Sequence, residues 1–383
     1  MNFELTPEQA DIKTAVEEFC DGSFVHELAW ECDREEKFPW DLHKEAARLG
    51  FIGIHLPEEH GGGGYGLTEN IIVAEAMCRA DSTLGTALIL SDLGCELIDK
   101  LGTSEQKGRT LVRIAKGEAV SAVAITEPAR GSALSECLDT TAVKGGDGWI
   151  VNGGKTLITN APIADLFVTL CQSDPNSAPP YRGQSLYIID GSKTGVEVQE
   201  IKGKMGIRAA PLGEVTFQEV NLSEECLLGE EGKGFYNTLA FFNSSRVEIA
   251  AQALGIAEGA LDRALAYSKE RDVSGIPIVK LQAISHKLAE MAIKIEGARL
   301  MVYKAAWLVD QGRGDPRVSS MAKAYAGRVA VEVADEAVQI VGGYGYISEY
   351  DVERFYRDAK ITEIYEGTRE IQKNTIARFL LRR

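Results

Sequence analysis

The chain has 383 residues, 45% of them hydrophobic and 26% charged, a balance expected of a soluble globular protein with two or three domains. Its formal net charge of -16 excludes nucleic acid or an anionic membrane surface as the main partner, because both select clustered Lys and Arg. Seven scattered cysteines, odd in number and never spaced as CxxC, suggest neither a disulfide framework nor a metal site, and a reducing, cytoplasmic setting fits them best. Met1 to Gln9 shows no basic region followed by an apolar run, and no stretch approaches about 18 apolar residues, so neither a signal peptide nor a membrane span is expected.

Thr6-Pro7-Glu8-Gln9 reads as a helix start, with Thr6 as cap, Pro7 at the first helical position and Gln9 reaching back as in a capping box. Ile12, Val16 and Phe19 follow at helical spacing. Similar patterns over 40–49 and 66–101, broken by a turn-rich stretch at 57–66, make residues 1–120 a helical domain. From about Ser121 the pattern turns to β, with runs at 149–151, 164–171, 186–189, 196–200 and 215–220, which sets a central β-domain at 121–233. The polar stretch 173–183 reads as an exposed loop. Helical periodicity returns after Gly234, at about 235–269, 280–311, 316–341 and 368–381, and predicts a four-helix bundle over 234–383. The order helical, β, helical gives an α+β multidomain class unlike a Rossmann alternation.

Few features invite a chemical reading on their own. The glycine run 61–64 lacks the Lys-Ser/Thr or strand-to-helix context of a phosphate loop and reads as a plain loop. The five histidines show no ligand or triad spacing. More specific are three polar turns in or beside the β region: Thr126-Glu127-Pro128-Ala129-Arg130-Gly131-Ser132, Lys155-Thr156-Leu157-Ile158-Thr159-Asn160-Ala161 and Lys204-Met205-Gly206-Ile207-Arg208. Their hydroxyls and backbone amides suit a polar cofactor ring and phosphates, although each alone could be turn chemistry.

Together with Arg271, Gln339-Ile340-Val341-Gly342-Gly343 and Tyr365-Glu366-Gly367-Thr368, these segments resemble the acyl-CoA dehydrogenase family along essentially the whole chain. The resemblance implies an N-terminal helical domain, a central β-barrel or sandwich domain, a C-terminal four-helix bundle, and FAD held between them. It places Thr126, Ser132 and Thr159 at the flavin and phosphates, Arg271 and Gln282 toward the pyrophosphate and adenosine end, and Thr368 and Glu370 at a further FAD contact. Gln339, Gly342 and Gly343 fall where a neighbouring subunit meets the cofactor, which implies an oligomer, usually a homotetramer. Ser132, Asn243, Arg246 and Gly367 fall on the substrate side, with Asn243 and Arg246 toward pantetheine and CoA. Glu366 is implied as the catalytic base, acyl-CoA as substrate, and an electron-transfer flavoprotein as electron acceptor.

A carboxylate suits that role. Removing a proton α to a thioester builds charge on the carbonyl oxygen, so a base and hydrogen-bond donors must act together. The resemblance assigns the donors to the Glu366 backbone amide and a flavin hydroxyl; the structural alternative for Glu366 is a helix-start carboxylate. The sequence departs from the family pattern at Leu157, Ala133, Ser274, Ala210 and Leu212, which puts details of flavin packing in question. In the stretch aligned with the acyl-pocket helix, Ile89 and Leu93 are expected to share a face bordered by Asp92. Asp92 is either a capping or paired surface acid, or a second proton acceptor or polar contact for an acyl group that is short, branched or cyclic. An acyl-CoA oxidase or monooxygenase of the same fold is the alternative activity. A non-catalytic flavin-binding relative is the alternative from another class.

Overall fold

A computed structural model describes residues 4–381. Seven helices come first: α1 (Pro7–Ser23), α2 (His26–Glu35), α3 (Trp40–Arg48), α4 (Leu67–Ala80), α5 (Ser82–Ile89), α6 (Cys95–Leu101) and α7 (Ser104–Ala115). The α1 capping box forms as its sequence requires, with Gln9 N–H donating to Thr6 Oγ1 at 3.2 Å and Thr6 N–H donating to Gln9 Oε1 at 3.0 Å. The segment 86–94 is not one helix. α5 stops at Ile89 and a turn leads to Gly94, in the left-handed region at φ 94°, before α6 begins. Ile89 therefore packs against the core beneath α1 to α5, whereas Leu93 packs against the sheet, and the shared face expected of them is absent.

Strands β1 (Ser121–Ala124), β2 (Thr141–Gly145), β3 (Gly148–Thr159), β4 (Leu166–Gln172), β5 (Gln184–Asp190), β6 (Val196–Glu200), β7 (Leu212–Ser223) and β8 (Leu227–Leu228) form one sheet in the order β6-β7-β3-β2-β4-β5-β8, with β1 parallel to β4. The glycine-rich stretch at 145–148 closes the β2–β3 hairpin. The long β3–β7 ladder slips register between Val151 and Gly153 and again between Lys155 and Ile158. Bulges bend a strand and re-aim its side chains. At the second slip Leu157 takes φ 57° and stands 58% exposed.

The C-terminal part holds α8 (Gly234–Glu270), a short hairpin of β9 (Asp272–Val273) and β10 (Ile276–Pro277), α9 (Gln282–Asp310), α10 (Pro316–Val341), α11 (Val352–Ala359) and α12 (Arg369–Leu381). α10 starts where Pro316 follows the cap Asp315, whose side chain accepts the Arg317 N–H, and stops at Gly342 with φ 71°. α8, α9 and α10 share one core with α4, so the first helical region docks directly into the bundle. Gly255 and Gly259 allow that approach: a Cβ on Gly255 would lie 2.3 Å from the Glu75 carbonyl oxygen, and one on Gly259 2.3 Å from that of Arg79. α12 rests on α10 with Gln372 as its one buried residue among those described.

Candidate active site

A cavity of about 980 Å³ opens where the sheet, α8 and the segment leading into α12 meet. Its apolar part is lined by Leu90, Leu93, Leu157, Ile249, Met205 and Tyr365. Thr126, Ser132, Thr159, Asn243, Arg246, Glu366, Gly367 and Thr368 all line it, so eight of the residues marked out in the sequence converge. Among the described residues Glu366 is the one carboxylate in that lining.

The backbone at Glu366 is strained. It lies at φ 51°, in the left-handed region that a non-glycine residue enters at a cost of roughly 1–3 kcal/mol, and Gly367 follows at φ 93°. Surrounding side chains hold this turn. Arg246 Nε and Gln372 Nε2 donate to the Glu366 carbonyl at 3.2 and 3.0 Å, while Lys323 Nζ and Gln372 Nε2 donate to the Gly367 carbonyl at 2.7 and 2.9 Å. Among the described residues none accepts the Glu366 N–H, which leaves it available as a donor. On the side chain, Ser245 Oγ donates to Oε2 at 2.6 Å.

Burial pushes the Glu366 carboxyl above the ordinary range, opposed by the Ser245 hydrogen bond and the charges of Arg246 and Lys323, and reinforced by Glu96. Burial likewise lowers Lys323 to about 7. Ser245, Lys323 and Gln372 escaped the sequence reading. Lys323 alone carried a signal there, a lysine at helical spacing with Ser319, Ala326 and Ala330 on the apolar face of α10.

The loop 204–210 forms another wall under strain. β-branched Ile207 sits at φ 45°, its N–H donating to Asp358 Oδ1 at 2.5 Å and its carbonyl accepting from Lys204 Nζ at 2.7 Å. Burial raises the Asp358 carboxyl to about 6. Arg357 holds the Met205 carbonyl at 3.0 Å and pairs with Asp33 at 2.8 Å.

The other expected cofactor residues lie elsewhere. Arg271 and Gly343 line a separate, open depression of about 540 Å³ with Tyr267, Ile278, Ile340 and Tyr344. Gln339 and Gly342 belong to the same end of α10, and Gln282 begins α9 close behind Ile278. Glu370 is exposed in the first turn of α12 and is not part of the cavity lining. Asp92 does not line the cavity either. Its carboxyl accepts the Gly53 N–H at 3.0 Å beneath the turn that carries Leu90 and Leu93, which is neither the surface cap nor the pocket-border position anticipated.

Family models described as the N-terminal, middle and C-terminal domains of acyl-CoA dehydrogenase match residues 6–118, 122–220 and 232–381. The chain belongs to the acyl-CoA dehydrogenase family. As a member it is an FAD-dependent oxidoreductase. It is 41% identical to an acyl-CoA dehydrogenase, short-chain specific, of Clostridium acetobutylicum over 98% of this chain and 99% of that protein. A 3-(aryl)acrylate reductase of Clostridium sporogenes is 38% identical over 94% of each chain. A chain solved in work on the electron transferring flavoprotein of Acidaminococcus fermentans superposes with a TM-score of 0.95 at 39% identity, each chain covered completely. The cavity of this acyl-CoA dehydrogenase family member fits the family's cofactor in chemical character: the Thr126, Ser132 and Thr159 hydroxyls make no hydrogen bond among the described residues, and apolar Leu157 and Met205 stand beside them. No helix among the described residues is long and apolar enough to cross a membrane.

Proposed function

We propose that the chain oxidises an acyl-CoA between its α and β carbons, with Glu366 as the base that takes the α proton. The observation that carries this reading is that Glu366 is the one carboxylate among the described residues lining the cavity. FAD, when bound, supplies the acceptor for the β hydride. Its contacts fall to Thr126, Ser132, Thr159 and Thr368 at the cavity in this reading, with Glu370 just beyond it, and to Arg271, Gln282, Gln339, Gly342 and Gly343 across a homotetramer, since the depression at Arg271 lies apart from the cavity.

Glu366 serves the proton step in two ways. Its raised pKa makes the carboxylate a stronger base, and its uncommitted N–H can donate to the thioester oxygen as charge builds there. Ser245 orients Oε2, while Arg246, Lys323 and Gln372 keep the strained turn from relaxing. Asn243, Arg246 and Gly367 take the thioester and pantetheine side, with Ser132 nearer the CoA phosphates. Five cationic residues, Lys204, Arg246, Arg357, Lys360 and Arg378, line the cavity of a chain whose net charge is -16, which supports an anionic ligand such as CoA.

Leu90, Leu93, Ile249 and Tyr365 leave an apolar end for a short, branched or cyclic acyl group, and the two curated relatives support a short or aryl-bearing one. Asp92 lies behind that end, held by the Gly53 N–H, and takes no part in this reading. We take 1–120, 121–233 and 234–383 as the domains, the cytoplasm as the location, and an electron-transfer flavoprotein as the electron acceptor, the last supported by the Acidaminococcus structure. The aryl-acrylate relative favours a second reading, in which Glu366 returns a proton to the α carbon and the reaction runs toward reduction.

Anaerobic mixing of the holoenzyme with straight, branched, aromatic and cyclic acyl-CoAs tests the proposal through flavin bleaching. Glu366→Gln is expected to slow bleaching by about 10²–10⁴-fold with flavin still bound. Bleaching at the normal rate by that variant would remove Glu366 as the base.

A further inference from the structure

Behind Glu366 lies a group of titratable side chains that the proposed reaction does not use. Glu248 is three residues beyond Ser245 on α8, on the side of the helix that faces Glu366. Glu96 comes from the first turn of α6, and its carboxyl is hydrogen-bonded to that of Glu248. Two carboxyl groups can share a hydrogen bond only when one of them carries a proton, and a second charge beside the first is strongly disfavoured.

The surroundings support one shared proton. Asn70 of α4 donates its Nδ2 to Glu248 Oε1. Asp92, in the turn before α6, and His55, from the loop after α3, face Glu96, as does Lys100 from the far end of α6. Both ring nitrogens of His55 are buried without a hydrogen-bond partner. Glu248 faces Glu96, Asp92 and Glu366. Glu96, Glu248 and Asp92 are each half-buried. Among the described residues no group of His, Cys, Asp and Glu has a metal-holding arrangement.

Glu366 meets opposing fields. Arg246 and Lys323 stabilise its ionised form and so weaken it as a base, whereas Glu96 acts in the other direction. We propose that Glu96 and Glu248 form a carboxyl pair sharing one proton, and that its single negative charge faces Glu366 and keeps it a strong base against Arg246 and Lys323. Both are positioning residues, since neither lines the cavity. The pair holds the same proton before and after turnover, and the substrate's α proton goes to Glu366. The inference rests on the reading of Glu366 as the base.

The test compares the pH dependence of kcat/KM for the wild-type holoenzyme with Glu248→Gln, Glu96→Gln and the double variant, using an acyl-CoA that bleaches the wild type. The acid limb reports the ionisation of Glu366 in the free enzyme. The double variant, which removes the charge, is expected to move that limb down by about half a pH unit or more, whereas each single variant keeps one ionised carboxylate beside an amide and is expected to leave the limb near its wild-type position. A merely structural role would lower activity without moving the limb.

A limb that stays in place or moves up in the flavin-loaded double variant, or that moves as far in a single variant as in the double one, would overturn the inference. Should the double variant fail to hold flavin, the infrared band of a buried protonated carboxyl, present in the wild type and removed by each single variant, carries the test, and its persistence in both single variants would overturn the inference. Failure here is distinct from failure of the base assignment: the latter shows as normal bleaching by Glu366→Gln, the former as an unmoved limb while Glu366→Gln stays inactive.

Discussion

The interior cavity and the depression at the end of α10 divide the expected cofactor contacts between them, and they are built in opposite ways. Around the cavity the backbone is strained at Glu366, Ile207 and Leu157, and buried side chains from α8, α10 and α12 hold the Glu366 turn in place. At the depression Arg271, Gly342 and Gly343 are exposed, and the surface around them carries uncovered apolar groups such as Tyr344, Val273 and Ile347. The difference teaches that one chain by itself holds the proposed proton-transfer side in a fixed shape. The far end of the cofactor contact set is open, which agrees with the proposed oligomer supplying the remainder.

If that contrast is right, substitutions at the Glu366 turn should cost far more than substitutions at the depression. The largest effect is expected for Gly367→Ala. A Cβ there would come within 2.8 Å of Gln372 Nε2, at a φ of 93° that alanine disfavours. A loss of about 1–3 kcal/mol in denaturant titrations, with slower flavin bleaching, is expected. Wild-type stability in that variant would show that the turn is not held as described.

Lys323→Met should come next. It removes the donor to the Gly367 carbonyl and a cation facing Glu366, so the base becomes harder to ionise and the acid limb of kcat/KM should move up. The sign is opposite to that expected when Glu96→Gln and Glu248→Gln are combined, so the two proteins together show whether the field at Glu366 is balanced as inferred. A downward shift in Lys323→Met would contradict it.

The smallest effect should follow Arg271→Ala. As an exposed residue it should alter monomer stability by no more than about 0.5 kcal/mol, with any loss of flavin retention measured by absorbance after gel filtration. A large loss of chain stability would mean that the depression is integral to the fold.

Much of the architecture was legible because its signals are local. The Thr6–Gln9 box, Pro316 at the start of α10 and the Val196–Glu200 strand could each be read from a few neighbouring residues. α2 and α7 were missed, although Thr103 and Gln106 form a second capping box. The error at 86–94 has a physical origin: an apolar run long enough for one helix is broken at Gly94, which adopts a left-handed conformation.

At the site, Glu366 and Arg246 were legible through motifs. Ser245 and the Glu96–Glu248 pair were not, because they join residues far apart in sequence and no local pattern announces such a meeting; Gln372, only six positions from Glu366, carried no pattern to show that its side chain turns back onto the loop. Asp92 was noticed as an acid near apolar residues, but its hydrogen bond to Gly53, 39 positions away, could only come from the fold.

Ile207 places a constraint on how this chain could be improved. A β-branched residue in a left-handed conformation carries backbone strain that glycine or asparagine would relieve, but its side chain is buried and either replacement would give up that packing. The same replacement would loosen the loop that Asp358 and Arg357 pin against the cavity. Backbone relief and side-chain packing therefore pull in opposite directions at this one position, and the cavity wall keeps its shape because packing wins.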